Sequence, residues 1–265
     1  MMSSNVGIVS RLKKRKINEV VATGKRMDGR GLEDHREIVV KTGVLEKAEG
    51  SAEVRFGDTW VLAGVKVGVG HPFEDTPDKG VLMCNAEYTP VAHPTFEPGP
   101  PREDSIELAR VVDRGLRSAK VLELDKLNLI TGKHVYMVFV DLYVLNYGGN
   151  LIDCSALAAI AALKNTKMRI YKVKGDQVEL TKRTKALKIT KEPVAVTMVK
   201  IGDSILVDPT ADEEEVRDAR LTITLDEDGN ICTIQKTGTE GFTTDELKKA
   251  VELTTRKAAE YRKHL

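Results

Sequence analysis

Hydrophobic positions recur along this chain with two different periods, and the changes of period mark out its elements. Ile8, Leu12, Val20 and Val21, set among Lys and Arg, predict a helix over residues 8–22. The next stretch, "RMDGRGLEDHR" (26–36), is polar and broken by glycine, which predicts a loop. Alternation follows in "REIVVKTGVLEKAEGSAEVRFGDTWVLAGVKVGVG", and predicts three or four strands with turns at Thr42-Gly43, Glu49-Gly50 and Gly57-Asp58. A proline-rich connection, "YTPVAHPTFEPGPPRED", leads to a helix opening between Glu103 and Ser105. A strand is predicted over 134–147, and the small-residue run "CSALAAIAALKN" (154–165) reads as a buried helix.

The second half repeats the theme. Lys191-Glu192-Pro193 opens the strands of "VAVTMVKIGDSILVDPT", and "LTITLDEDGNICTIQKTG" reads as a hairpin turning at Asp228-Gly229-Asn230. Thr243 followed by Glu246 forms a capping box for a closing helix, with Leu247, Ala250, Val251 and Thr254 at helical spacing. "FGDTWVLAGV" (56–65) and "IGDSILVDPT" (201–210) share the order strand, Gly-Asp turn, hydroxyl residue, strand. With the helices that follow each, they predict an α+β protein of two related β-rich halves with helices packed on them.

Composition narrows the chemistry. A 41% hydrophobic and 31% charged chain of 265 residues folds as one large domain or two modest ones. No segment approaches the ~20 apolar residues of a membrane span. The first residues place a basic run after a short apolar stretch, the reverse of a secretory signal, which predicts an intracellular, cytoplasmic protein. Cys84, Cys154 and Cys232 are widely spaced, and the five histidines form no HxxxH pair, so neither a disulfide framework nor a zinc site is expected. No cofactor and no metal are expected at all. A net charge of +1 confines any nucleic-acid site to a local patch. There is no GxxxxGK[ST] loop and no GxSxG elbow. The acidic run Asp212 to Glu215 reads as a helix start, and the basic run Arg11 to Lys16 as surface.

Three blocks carry a family resemblance. Arg26, Asp28, Gly29, Arg30, Glu33 and Arg36 form "R-x-D-G-R-x-x-E-x-x-R"; then come "EGSAEVRFGDTWVLAGV" and "SIELARVVDRGLR". In that order they resemble the RNase PH family, phosphate-using 3′-to-5′ exoribonucleases and their ring partners, across residues 26–259. The resemblance implies the RNase PH fold, with two pseudo-repeated sheet-and-helix halves like the second domain of ribosomal protein S5. The divisions expected are an N-terminal helix (1–25), a first half (26–190) and a C-terminal half (191–265).

Departures from the family pattern are informative. Catalytic members cradle inorganic phosphate in a Gly-Gly-Thr-Arg or Gly-Thr-Ser loop just before the small-residue helix. Here the stretch is "NYGGNLIDCSALAAI": the arginine position holds Leu151 or Asp153, and Thr is absent. Of the family's downstream carboxylates, Asp208 and Glu214 are possible matches, while the last falls on or next to Arg220. Within the family the chain is therefore most similar to the non-catalytic ring subunit of the archaeal exosome. That implies a hexameric ring of three heterodimers with a catalytic paralogue, RNA-binding cap subunits, and single-stranded RNA threading through. The alternatives are a phosphate-dependent exoribonuclease active in its own right, through Asp208 and Glu214, and a stand-alone RNA-binding module.

Arg110, Arg114 and Arg117 fall within about 60° of one another on a helical wheel, opposite Leu108, Val112, Leu116 and Ala119. By themselves they fit either a solvated face stitched by Glu103, Glu107 and Asp113 or a grip on phosphates. Under the resemblance they are the RNA-binding residues, Arg110 and Arg114 first, with Arg117 shared with the subunit interface. Arginine suits the task because its planar fork holds phosphate at two points and stays charged.

Overall fold

The computed structural model describes the backbone of residues 3–265 and side chains from residue 12 onward. Helix α1 (Ser3–Val21) covers the span expected of it, although the side chains of Ile8 and Arg11 lie outside the described residues. Its Ile17 and Val21 pack with Val199, Ile201, Leu206 and Val216. Lys13 bonds Asp212 and Glu215, and Lys14 bonds Asp218 at 2.6 Å. Lys13 and Lys14 of the basic run thus hold the N-terminal helix against the second half of the chain.

The loop over 26–36 leads into a six-stranded sheet of β1 (Ile38–Thr42), β2 (Gly50–Phe56), β3 (Thr59–Gly70), β4 (Val81–Tyr88), β5 (Asn128–Ile130) and β6 (His134–Asn146). Its order is β1-β2-β3-β6-β4, with β4 parallel to β6 and β5 paired to β6. Three strands, not four, fill residues 38–70, because 43–49 is a single connection. Strand β4 had no counterpart in the sequence expectations: "VLMCNAEY" does not alternate, since Val81 and Leu82 are both buried. Helix α2 (Glu103–Ser118) opens where predicted and packs on β4.

Helix α3 (Leu151–Lys164) starts three residues before the predicted run and is buried on nearly every side. It lies between β2 and β3 on one side and the second sheet on the other. Its alanines let both sheets approach, which is what a helix apolar all round is for. An unpredicted two-stranded ribbon follows, β7 (Lys167–Lys174) with β8 (Gln177–Ala186).

The second sheet is fully antiparallel: β9 (Val194–Ile201), β10 (Ser204–Val207), β11 (Ala219–Leu225) and β12 (Ile231–Gly238), in the order β10-β9-β11-β12. Between them sits the short helix α4 (Ala211–Val216), with a full capping box of Thr210 and Glu213. Helix α5 (Thr244–Arg262) carries the predicted box of Thr243 and Glu246 and packs on β9 and β11. The architecture is α+β, with two sheet-and-helix halves as the resemblance implies.

The echo between the halves is local. Gly57 and Gly202 open two-residue hairpin loops with φ of +53° and +57°, and the flanking pairs Phe56–Thr59 and Ile201–Ser204 match. That is the first-position glycine of a II′ turn, whose twist suits a hairpin. The wiring then differs. In the first sheet the second hairpin strand, β3, pairs inward with β6; in the second the first strand, β9, pairs inward with β11.

Candidate functional site

The arginine helix α2 owes its orientation to its apolar stripe. Leu108, Val111, Val112 and Leu116 are buried, while Arg110, Arg114 and Arg117 are exposed on the far side. The three do not act alike. Arg117 leans toward β4, donating to Asp113 at 2.7 Å and to the Leu82 carbonyl. Arg114 leans the other way, toward β12, and donates to the Gln235 side-chain oxygen at 2.5 Å. Arg110 lies on the crest between them and has no hydrogen-bond or ion-pair partner among the described residues. The stitching expected from Glu107 is absent, because Glu107 turns away to accept from Arg220 at 2.7 Å and from Gln235 at 3.2 Å.

Those contacts lead into a cleft of about 320 Å³ at the start of α3, lined by Leu151, Ile152, Glu107, Glu214, Arg217 and Arg220 among others. A phosphate cradle at a helix start needs open backbone N–H groups and hydroxyl or cationic side chains. Here Leu151 and Ile152 face the cleft instead. Arg220, expected where a carboxylate belongs, does line it and is ion-paired to Glu107. Glu214 lines it as well, accepting from the Tyr147 hydroxyl at 2.8 Å, which pins the carboxylate in place.

Asp153 and Asp208 were candidates for this cleft, as a repulsive charge and as a catalytic carboxylate, and neither reaches it. Asp153 is 1% exposed and points inward, accepting from the Thr197 N–H at 2.9 Å and hydroxyl at 2.7 Å. Burial pushes its carboxyl up to about 7 against those hydrogen bonds. Asp208 is fully buried in a clasp of arginines. Arg36 holds it through its backbone N–H, Nε and Nη2, Arg30 adds a bond at 3.1 Å, and Asn150 another at 2.7 Å. Burial alone would raise this carboxyl; the hydrogen bonds and charge of Arg36 outweigh it and hold it below the ordinary value.

The same clasp fixes the loop before α3. Arg36 donates to the Gly148 carbonyl at 2.8 Å, Thr59 to that of Gly149 at 2.5 Å, and Ala211 N–H to Gly148 at 3.1 Å. Gly149 has φ +92°, and a Cβ there would sit 2.4 Å from the Ala211 nitrogen. Beside it, Arg26 bonds Glu213 and the carbonyls of Val207 and Asp208. The acidic run is thus a helix start, as read, but with Glu213 buried on an arginine. Sequence reasoning gave none of Arg26, Arg36 or Asn150 a task. For Arg26 and Arg36 the signal was a glycine-broken polar loop with three arginines, each of which meets a carboxylate of the second half.

Among the described residues no group of three His, Cys, Asp or Glu is placed to hold a metal, all three cysteines are free, and no helix is long and apolar enough to cross a membrane.

Comparison with known proteins gives consistent matches. Residues 34–169 match domain 1, and residues 191–257 domain 2, of the 3′ exoribonuclease family. The chain is 47% identical over 261 residues to the exosome complex component Rrp42 of Thermococcus kodakarensis, covering 98% of this chain and 96% of that one. It is 48% identical over 264 residues to the protein of that name from Thermococcus gammatolerans, covering 99% and 97%. Among solved structures it is similar to a chain of the Archaeoglobus fulgidus exosome with RNA bound to the active site, with a TM-score of 0.88, 41% identity and coverage of 97% and 98%. Rice Rrp46, at 19% identity and a TM-score of 0.68, shares the fold. With both domains matched in order and relatives aligned over almost its whole length, the chain belongs to the 3′ exoribonuclease family.

Proposed function

We propose that this protein is a non-catalytic ring subunit of an exosome-type 3′-to-5′ RNA-degrading complex, binding RNA beside the active site of a catalytic partner. The observation that carries the reading is the cleft at the start of α3. Leu151 and Ile152 stand where phosphate would be cradled, and Asp208 is locked inside by Arg36. The attacking phosphate has no seat, and a carboxylate needed for proton transfer or metal binding is out of reach. Likeness to Rrp42 proteins and to an RNA-bound archaeal exosome supports the ring role.

The partner is a catalytic RNase PH-like paralogue, assembled with this chain as three heterodimers in a hexameric ring in the cytoplasm, with RNA-binding cap subunits on one face. Arg110 and Arg114 contact the phosphates of single-stranded RNA held in the paralogue's site, and Arg117 steadies the helix through Asp113 and Leu82. Residues 26–190 and 191–265 form the two halves, with 1–25 a helical extension. Co-expression with the paralogue tests the whole reading: the mixture forms a ring that releases nucleoside diphosphates from RNA and phosphate, and this chain alone does neither. Phosphorolysis by the isolated chain would overturn it.

A further inference from the structure

A trough runs along β4 beneath the proline-rich connection. It consists of a cavity of about 640 Å³ over β4 and β6 and the 320 Å³ cleft at α3, which share Tyr88, Thr95, Phe96 and Asp104 as a common wall. That wall is aromatic: Tyr88 and Phe96 have ring centroids 4.8 Å apart, and Phe96 and Tyr147 5.7 Å. Six carboxylates face the two cavities against three guanidinium groups. Arg102 pairs with Glu97 and Arg220 with Glu107, but Glu87, Asp104, Asp141 and Glu214 form no ion pair among the described residues.

Local folding accounts for part of this charge: Asn85 donates to Asp141 at 3.1 Å and the Tyr147 hydroxyl to Glu214 at 2.8 Å. Asp104 offsets the dipole at the start of α2. Glu87 and Asp141, however, project from adjacent strands, where the pairs Asn85–Asp141 and Glu87–Tyr143 place the two acids diagonally on one face. Like charges so placed repel each other and add nothing to the pairing of the two strands. The field they create is felt by the phenols nearby. Tyr88, Tyr143 and Tyr147 are raised first by burial and then by Asp104, Asp141 and Glu214 respectively. RNA phosphates are repelled by such a surface. A guanidinium or ammonium group is drawn to it, stacking on the aromatic faces while the carboxylates accept its hydrogen bonds.

We propose that this trough receives basic side chains of the pairing paralogue, carried on the paralogue's counterpart of α2. The proposal rests on the ring reading above, which sets the arginine crest of α2 against the partner's cleft. Homologous chains paired about a local two-fold exchange equivalent contacts, so the partner's matching helix comes to lie over the cleft of this chain. The layout suits such an exchange, since the crest and the trough share α2: Arg114 bonds Gln235, Gln235 bonds Glu107, and Glu107 pairs with Arg220 inside the cleft.

The test is a charge reversal, Glu87→Lys with Asp104→Lys, both exposed and outside the buried clasp. Assembly with the co-expressed catalytic paralogue is measured by light scattering and titration at low and high salt. The reversed chain should melt like the wild type and bind the paralogue about a hundredfold more weakly at low salt. The neutral pair Glu87→Gln with Asp104→Asn should fall in between, which excludes misfolding as the cause. Assembly at wild-type affinity overturns the proposal. The RNA-grip reading is scored separately, by RNA turnover in rings carrying Arg110→Glu and Arg114→Glu, so either can fail without the other.

Discussion

Asp208 and Arg36 are joined at two points, Nη2 to Oδ1 at 2.7 Å and Nε to Oδ2 at 2.9 Å, with the aspartate wholly shielded from water. The pair links the polar loop before β1 to the strand end before α4, and through Gly148 to the start of α3. A charge pair of this kind adds little against a well-packed apolar substitute, but breaking it strands a buried charge.

Replacing Asp208 with Asn should therefore cost about 3–5 kcal/mol in chemical denaturation near neutral pH, because Arg36 keeps its charge and loses its partner. The Asp208 carboxyl titrates below its ordinary value of 3.8 in the folded protein. Its contribution is present above that value and lost as pH falls through the folded one. The gap between wild type and variant should close in strong acid. An Asp208→Asn protein as stable as wild type at pH 7 would show that the clasp is dispensable.

Asp153 should show the opposite sign. Its folded carboxyl is pushed up to about 7, so the stability tied to its proton is full below about 3.8 and lost as pH rises through 7. Asn mimics the protonated form and can still bond Thr197 and Asn150. Asp153→Asn should match wild type near pH 4 and melt at a higher temperature at pH 8. Parallel melting curves across that range would mean that Asp153 does not titrate within it.

Restoring the phosphate seat should not restore catalysis. Leu151→Arg with Ile152→Thr puts a cation and a hydroxyl into the cleft, yet Asp208 remains locked by Arg36 and Arg220 still lines the cleft, paired to Glu107. Nucleoside diphosphate release from RNA and phosphate should stay at background for this variant, measured alone. Asp153→Arg should fail for another reason, since it forces a guanidinium into a fully enclosed position against Thr197.

Sequence reasoning reached the elements whose pattern is set by one buried face. Helix α2 was legible because its apolar stripe and its arginines lie on opposite sides, and α5 because its capping box is local. Strand β4 was not, because a strand buried at its start on both sides does not alternate. The β7–β8 ribbon escaped notice because charged residues interrupt both faces. Its turn, Gly175-Asp176 with Gly175 at φ +58°, is a third hairpin of the Gly-Asp kind, which shows how little that motif says about duplication. At the site, the family resemblance located the loop before α3 but not where its side chains point. Asn150 stands at φ +52°, a left-handed residue at the helix entry, and the turn it sets carries Asp153 inward and leaves Leu151 on the cleft. Such a turn depends on Asp208, which is distant in sequence.

The arginines of α2 should rank by how free they are. Arg110 has no partner to give up, Arg114 must release Gln235, and Arg117 would have to leave both Asp113 and the Leu82 carbonyl. Single alanine substitutions in the assembled ring should thus weaken RNA binding most at Arg110, less at Arg114 and least at Arg117. Arg117→Ala should instead lower the melting temperature slightly, since it removes a helix-to-strand tie. The double change Arg110→Glu with Arg114→Glu should leave the ring intact, because both side chains point away from the buried stripe. It should slow RNA degradation sharply and flatten the log–log salt dependence of binding by about 1.4, two contacts on the single-strand scale. An unchanged slope with normal degradation would make this crest an ordinary solvated face.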